Sequence, residues 1–127
     1  MKILVIDDEE DLVDMISIYL EERYNVSTAT SAAKGMFEFK RNSFDCLIVD
    51  INMPKKDGPT LIKEIRETGF EKPVIFISGE QTEALMKRVL SLNAFDFILK
   101  PFSKDDLLKI LEDAEDEVKE IENLTSS

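Results

Sequence analysis

Five short apolar runs punctuate this chain, and four of them halt at a polar residue with chemistry to offer. Ile3-Leu4-Val5-Ile6 is continuous and mostly β-branched, as expected of a strand buried on both faces, and it stops at Asp7-Asp8. Cys46 to Val49 is a second such run and stops at Asp50; Pro73 to Ile77 is a third and ends at Ser78-Gly79. Val26 to Ala29 and Phe95 to Leu99 read as two more strands, the last followed by Lys100-Pro101. Between the strands the period becomes helical. Leu12, Val13, Ile16 and Leu20 share a face, as do Leu61, Ile62 and Ile65. Further helices are predicted from about Ser31 to Arg41 (carrying Met36 and Phe37), from about Glu80 to Leu92, and from near Lys104 onward. Ser31 suits an N-cap, Asp57-Gly58 a turn, and Pro59 the first position of the helix that follows.

Alternating apolar strands and amphipathic helices predict βα units and a parallel sheet covered on both sides. Five such units suit an α/β, doubly wound, five-stranded sheet of order 2-1-3-4-5, a flavodoxin-like three-layer sandwich. An eight-stranded barrel would need about twice the length. The 127 residues suit one domain, expected over 1–122, with 123–127 a C-terminal tail or the start of a linker.

In a sheet of this kind, ligands bind beyond the carboxyl ends of the strands, where strand order reverses. Asp7, Asp8, Asp50, Ser78 and Lys100 all fall on that rim. Three carboxylates held together repel, and a dication among them makes the arrangement favourable. Hard oxygen ligands select Mg²⁺ or Ca²⁺, and a small site open to phosphate suits Mg²⁺ better. An aspartate is a competent nucleophile toward phosphorus, while Lys100 and Ser78 offer donors to phosphoryl oxygens. Glu9, Glu10 and Asp11 are read as a solvated acidic entry to helix 1.

Composition narrows the alternatives. A net charge of −11 disfavours sequence-independent nucleic-acid binding and anionic membrane surfaces. With no histidine, Ser–His–Asp and Cys–His relays and His-ligated zinc are excluded. The single cysteine, Cys46, lies in an apolar run and is expected to be a buried core residue. The N-terminal apolar run is too short for a signal peptide, and a cytoplasmic location is expected.

Asp7-Asp8, then Val49-Asp50-Ile51-Asn52-Met53-Pro54, Asp57-Gly58, Ser78-Gly79 and Lys100-Pro101-Phe102 together resemble the receiver domains of bacterial two-component response regulators, over essentially residues 1–120. The resemblance implies that Asp50 is the phosphoacceptor, phosphorylated by a sensor histidine kinase or phosphotransfer protein. It implies direct Mg²⁺ ligation by Asp8, Asp50 and the backbone carbonyl of Asn52, with Asp7 acting mainly through metal-bound water. Ser78 and Lys100 would bind phosphoryl oxygens, and Ser78 and Phe97 would form the switch. A cis Lys100–Pro101 bond is implied too. Asn52 and Glu80 occupy the positions that tune autodephosphorylation, and their identities resemble chemotaxis-type single-domain receivers, which implies a short-lived phosphoryl state. Such a chain catalyses its own phosphorylation and hydrolysis yet is mainly a switch. Its downstream target would be reached through the helix 4–strand 5–helix 5 face, as a monomer or a phosphorylation-dependent dimer.

Three rival readings share parts of this pattern. A flavodoxin-type flavin carrier needs a Ser/Thr/Gly-rich phosphate loop where this chain has five acids. An aspartyl-phosphatase-like enzyme typically needs a second acid where Asn52 stands. A pseudo-receiver or protein-binding scaffold usually lacks an acid, the acceptor or the lysine, and here all are present. In the last helix Leu107, Leu111, Ala114, Val118 and Ile121 form a heptad-like stripe, while nine acids and two lysines lie between Asp105 and Glu122. Both an ordinary helix with a solvated acidic end and the start of a coiled linker fit that pattern.

Overall fold

The computed structural model describes residues 1–126. Strands β1 (Lys2–Ile6), β2 (Asn25–Ala29), β3 (Cys46–Asp50), β4 (Val74–Ser78) and β5 (Asp96–Leu99) alternate with helices α1 (Glu10–Leu20), α2 (Ala32–Arg41), α3 (Gly58–Glu67), α4 (Glu83–Leu90) and α5 (Lys104–Ser126). The strands pair in parallel in the order β2-β1-β3-β4-β5, as the alternation predicts.

The continuous apolar runs of β1, β3 and β4 are buried on both faces because each face meets its own helices. Leu4, Ile6, Leu47, Val49, Val74 and Phe76 point to one core, closed by Ala32 of α2, Leu61, Ile62 and Ile65 of α3, and Val89 of α4. Ile3, Val5, Cys46, Ile48, Ile75 and Ile77 point to the other, closed by Val13, Ile16 and Leu20 of α1 and Leu107, Leu111 and Ala114 of α5. A fully buried aliphatic side chain contributes about 1.5–3 kcal/mol. A one-residue slip of a central strand would exchange the two faces, so packing fixes the register.

Differences from the sequence reading lie at element ends. Helix α4 starts at Glu83, not near Glu80, because the Thr82 side chain caps it by accepting from the Leu85 N–H at 3.2 Å. It ends at Leu90, and Asn93 takes the left-handed conformation (φ +61°) in the turn into β5. Ser31 caps α2 as expected, accepting from the Lys34 N–H at 3.1 Å. Helix α3 begins one residue before Pro59, at Gly58, with Asp57 as its cap. The Lys100–Pro101 peptide is cis. Only Val89 of α4 is buried; Glu83, Ala84, Lys87, Arg88 and Leu90 are exposed. Helix α5 runs without a break past residue 122, and residue 127 of the expected tail lies outside the described residues.

Candidate phosphoacceptor and metal site

Register brings the site together. Ile6 of β1 lies opposite Val49 of β3, so the next residues, Asp7 and Asp50, emerge side by side on one rim. Ser78 of β4 lies opposite Leu99 of β5, which delivers Lys100 to the same rim, and the Lys100 N–H donates to the Ser78 carbonyl at 2.7 Å. Asp7, Asp50 and Ser78 are buried, while Asp8 is exposed. One carboxylate oxygen from each of Asp7, Asp8 and Asp50 lies within 4.8 Å of the others.

Lys100 faces this acidic group, with Nζ 3.0 Å from Asp7 Oδ2, 3.4 Å from Asp50 Oδ1 and 3.2 Å from Glu9 Oε1. Two like charges about 4 Å apart repel by about 4 kcal/mol at an effective dielectric near 20, so one ammonium does not neutralise the set. Burial, then the neighbouring Asp7 charge, push the Asp50 carboxyl up to about 7. Burial likewise raises Asp7. For Lys100, burial opposes the charged form, but the 3.0 Å contact with Asp7 and the charges of Asp50 and Asp7 outweigh it and raise its pKa.

The donor set fits a hard cation. All three side chains offer carboxylate oxygen, and the buried Asp7 Oδ2 has no hydrogen-bond partner despite its ion pair with Lys100. That oxygen lies 3.0 Å from Lys100 Nζ, while Asp7 Oδ1 accepts from the Glu9 N–H at 2.8 Å. An unsatisfied buried carboxylate oxygen is costly unless a cation partners it.

The remaining expected site residues fall into three places. Ser78 is buried at the end of β4, and its Oγ accepts from the Glu80 N–H at 3.2 Å; it caps a turn, not α4. Asn52 and Glu80 are both exposed, and Asn52 Nδ2 donates to Glu80 Oε1 at 3.4 Å, so the two meet across the mouth of the site. Phe97 on β5 is half-buried against the core that contains Phe76 and Val89.

Three contributors were not visible as such in the sequence. Glu9, read as solvated, reaches Lys100. Gly58 was read as a turn residue, yet its φ is ordinary; a Cβ there would collide with the Asp50 backbone carbonyl, and its N–H donates to the Ile51 carbonyl at 2.9 Å. Arg88 of α4 forks onto Asp57, with Nη1 to Oδ2 at 2.7 Å and Nη2 to Oδ1 at 3.1 Å. The Asp57-Gly58 pair carried a detectable signal, a turn soon after Asp50. The Glu9 and Arg88 contacts join residues far apart in sequence and carried none.

Comparison with known proteins agrees with this geometry. A family model described as "Response regulator receiver domain" matches residues 3–112. The transcriptional regulatory protein DltR of Streptococcus agalactiae is 33% identical over 109 residues, covering 85% of this chain and 49% of that protein. The response regulator SaeR of Staphylococcus aureus is 35% identical over 107 residues, covering 84% and 46%. The chain thus spans about half the length of these relatives. Among solved structures, a response regulator receiver domain protein from Clostridium thermocellum superposes with a TM-score of 0.83 at 33% identity, covering 94% of this chain and 98% of that one. The chemotaxis protein CheY4 of Vibrio cholerae superposes with a TM-score of 0.84 at 27% identity, covering 89% and 97%. With the acids, hydroxyl and lysine gathered at the expected strand ends, the chain belongs to the response regulator receiver domain family of two-component signalling.

Proposed function

We propose that Asp50 accepts a phosphoryl group from the phosphohistidine of a sensor histidine kinase or phosphotransfer protein, holds it briefly, and loses it to water. The observation that carries this reading is the buried Asp50 carboxylate, clustered with Asp7 and Asp8 and 3.4 Å from the Lys100 ammonium. In the transfer, an Asp50 carboxylate oxygen attacks phosphorus while the P–N bond breaks and its electron pair returns to the donor imidazole. In hydrolysis, water attacks phosphorus, the P–O bond to Asp50 breaks, and inorganic phosphate leaves.

Receiver domains bind Mg²⁺ at an acidic pocket. In this chain Asp8, Asp50 and the Asn52 backbone carbonyl would hold the ion, with Asp7 supporting it from outside that set. Bound Mg²⁺ supplies positive charge against the oxygens of the transferred group. Lys100 donates to one phosphoryl oxygen and Ser78, turned inward, to another. Phe97 follows Ser78 inward, and the population shifts toward a state with an altered α4–β5–α5 face, available to a downstream target or a second copy. Asn52 and Glu80, in contact at 3.4 Å, border the path of the attacking water and set a short phosphoryl lifetime. The receiver occupies residues 1–122, followed by a tail or linker. It works in the cytoplasm without contacting nucleic acid itself, consistent with a net charge of −11 and with no described helix being long and apolar enough to cross a membrane.

Incubation with acetyl phosphate and Mg²⁺ followed by intact mass measurement tests the assignment. One phosphoryl adduct is expected on the wild type and none on Asp50→Asn. An adduct that persists on the variant removes Asp50 as acceptor.

A further inference from the structure

Lys100 has three N–H bonds and three carboxylates around it, and the three are not equivalent. Asp7 and Asp50 are buried, whereas the Glu9 side chain is 64% exposed. Lys100 Nζ donates to the exposed one, Glu9 Oε1, at 3.2 Å, and lies 3.0 Å from the buried Asp7 Oδ2. The backbone fixes Glu9 in this place. Its N–H donates to Asp7 Oδ1 at 2.8 Å and its carbonyl accepts from the Val13 N–H at 3.1 Å, at the entry to α1, where its side chain makes no capping bond. The side chain is thus left to lean over the site and take the ammonium.

Releasing these contacts has unequal consequences. Water replaces Lys100 at an exposed carboxylate with little loss. Withdrawing the ammonium from Asp7 would strand a buried charge. When Lys100 turns to a new oxygen beside Asp50, Glu9 is therefore the partner that yields.

We propose that Glu9 is a positioning residue that competes with phosphoryl oxygens for Lys100, parking the ammonium at the mouth of the site until a phosphoryl group displaces it. This rests on the phosphoacceptor reading above and adds a residue outside the acids, hydroxyl and lysine of that reading. Breaking the Glu9–Lys100 contact then strengthens binding of a phosphoryl mimic, by about two- to five-fold, the scale of one exposed ion pair.

Calorimetric titration of the full chain with beryllofluoride in saturating Mg²⁺ tests this in the wild type, Glu9→Gln and Glu9→Asp. The glutamine removes the charge at constant length; the aspartate keeps the charge but falls short of Lys100. Both variants are expected to bind the mimic more tightly, with Mg²⁺ affinity alone little changed in Glu9→Asp. Tightening in Glu9→Gln alone would mean simple charge repulsion, and unchanged or weaker binding in both would mean no competition; either overturns the proposal. A wild type that binds no beryllofluoride overturns the phosphoacceptor reading instead. The Glu9 contact is then judged by the ¹⁵N resonance of the Lys100 ammonium, which must shift in both variants, and an unmoved resonance overturns it.

Discussion

Asp50 is buried beside another acid, and the resulting rise of its pKa to about 7 has a thermodynamic signature. In the unfolded chain an aspartate ionises near pH ~4. Between there and about 7 the folded, metal-free protein holds a proton that the unfolded chain has released, so stability falls as pH rises through this window. Asp7 is shifted in the same direction by burial. Asp50→Asn removes one titration and one repelling charge. Urea unfolding without divalent ions should give the variant a higher midpoint than the wild type at pH 8, with the gap closing toward pH 4. Parallel midpoints across that range would contradict the burial account. Gly58 makes a second residue-scale prediction. The atom that blocks a Cβ there is backbone, which yields less readily than a flexible side chain. Gly58→Ala should cost about 1–3 kcal/mol in denaturant unfolding, and more where the loop after Asp50 is displaced. At this scale the site was legible where a residue's place followed from the end of its own strand, as for Asp7, Asp8, Asp50, Ser78 and Lys100. It was illegible for Glu9, whose partner lies 91 residues away and whose exposed position gives no apolar signal.

Among the elements, β1, β3 and β4 were legible because burial on both faces leaves no polar residue to interrupt their apolar runs. Helix α4 was read too long because Glu80 and Gln81 are good helix formers, and only the Thr82 cap, a local contest of hydrogen bonds, cuts them off. This helix touches the rest of the molecule in few ways. Val89 is buried, Leu85 packs at the edge of the core, and Arg88 forks onto Asp57 while also donating to Thr60 Oγ1 at 3.1 Å. Asp57 caps α3 through the Thr60 N–H at 2.9 Å, so one carboxylate joins the start of α3 to the last turn of α4. Its pKa lies below the usual range: burial opposes this, but Arg88 and the bonds from Thr60 outweigh it. Arg88→Ala should speed amide hydrogen exchange in α4 while leaving β1 and β3 protected. Its cost to global stability should stay within about 1 kcal/mol, as for a partly exposed ion pair. Equal acceleration across the sheet would show that the pair serves the whole fold instead.

For the molecule as a whole, charge is the largest uncompensated quantity. The chain carries a net charge of −11, much of it along α5, and its site clusters three acids. Self-repulsion of this kind is screened by salt. Without divalent ions, the thermal midpoint should rise as monovalent salt increases from roughly 10 to 150 mM, a range over which the Debye length falls from about 30 to about 8 Å. A midpoint that falls with salt would mean that favourable ion pairs dominate. Structure at the far end of the sheet is more tightly tied. Arg66, at the end of α3, donates to the carbonyls of Phe70, Lys72, Leu92 and Asn93, stapling the loops that enter β4 and β5. The acidic cluster thus stands at one end of a firmly braced sheet, next to a helix held by one buried valine, the half-buried Leu85 and the Arg88 ion pair. A helix held that way leaves its outward letters outside the folding code. Glu83, Ala84, Lys87 and Leu90 are thereby open to substitution at little expense to the sheet.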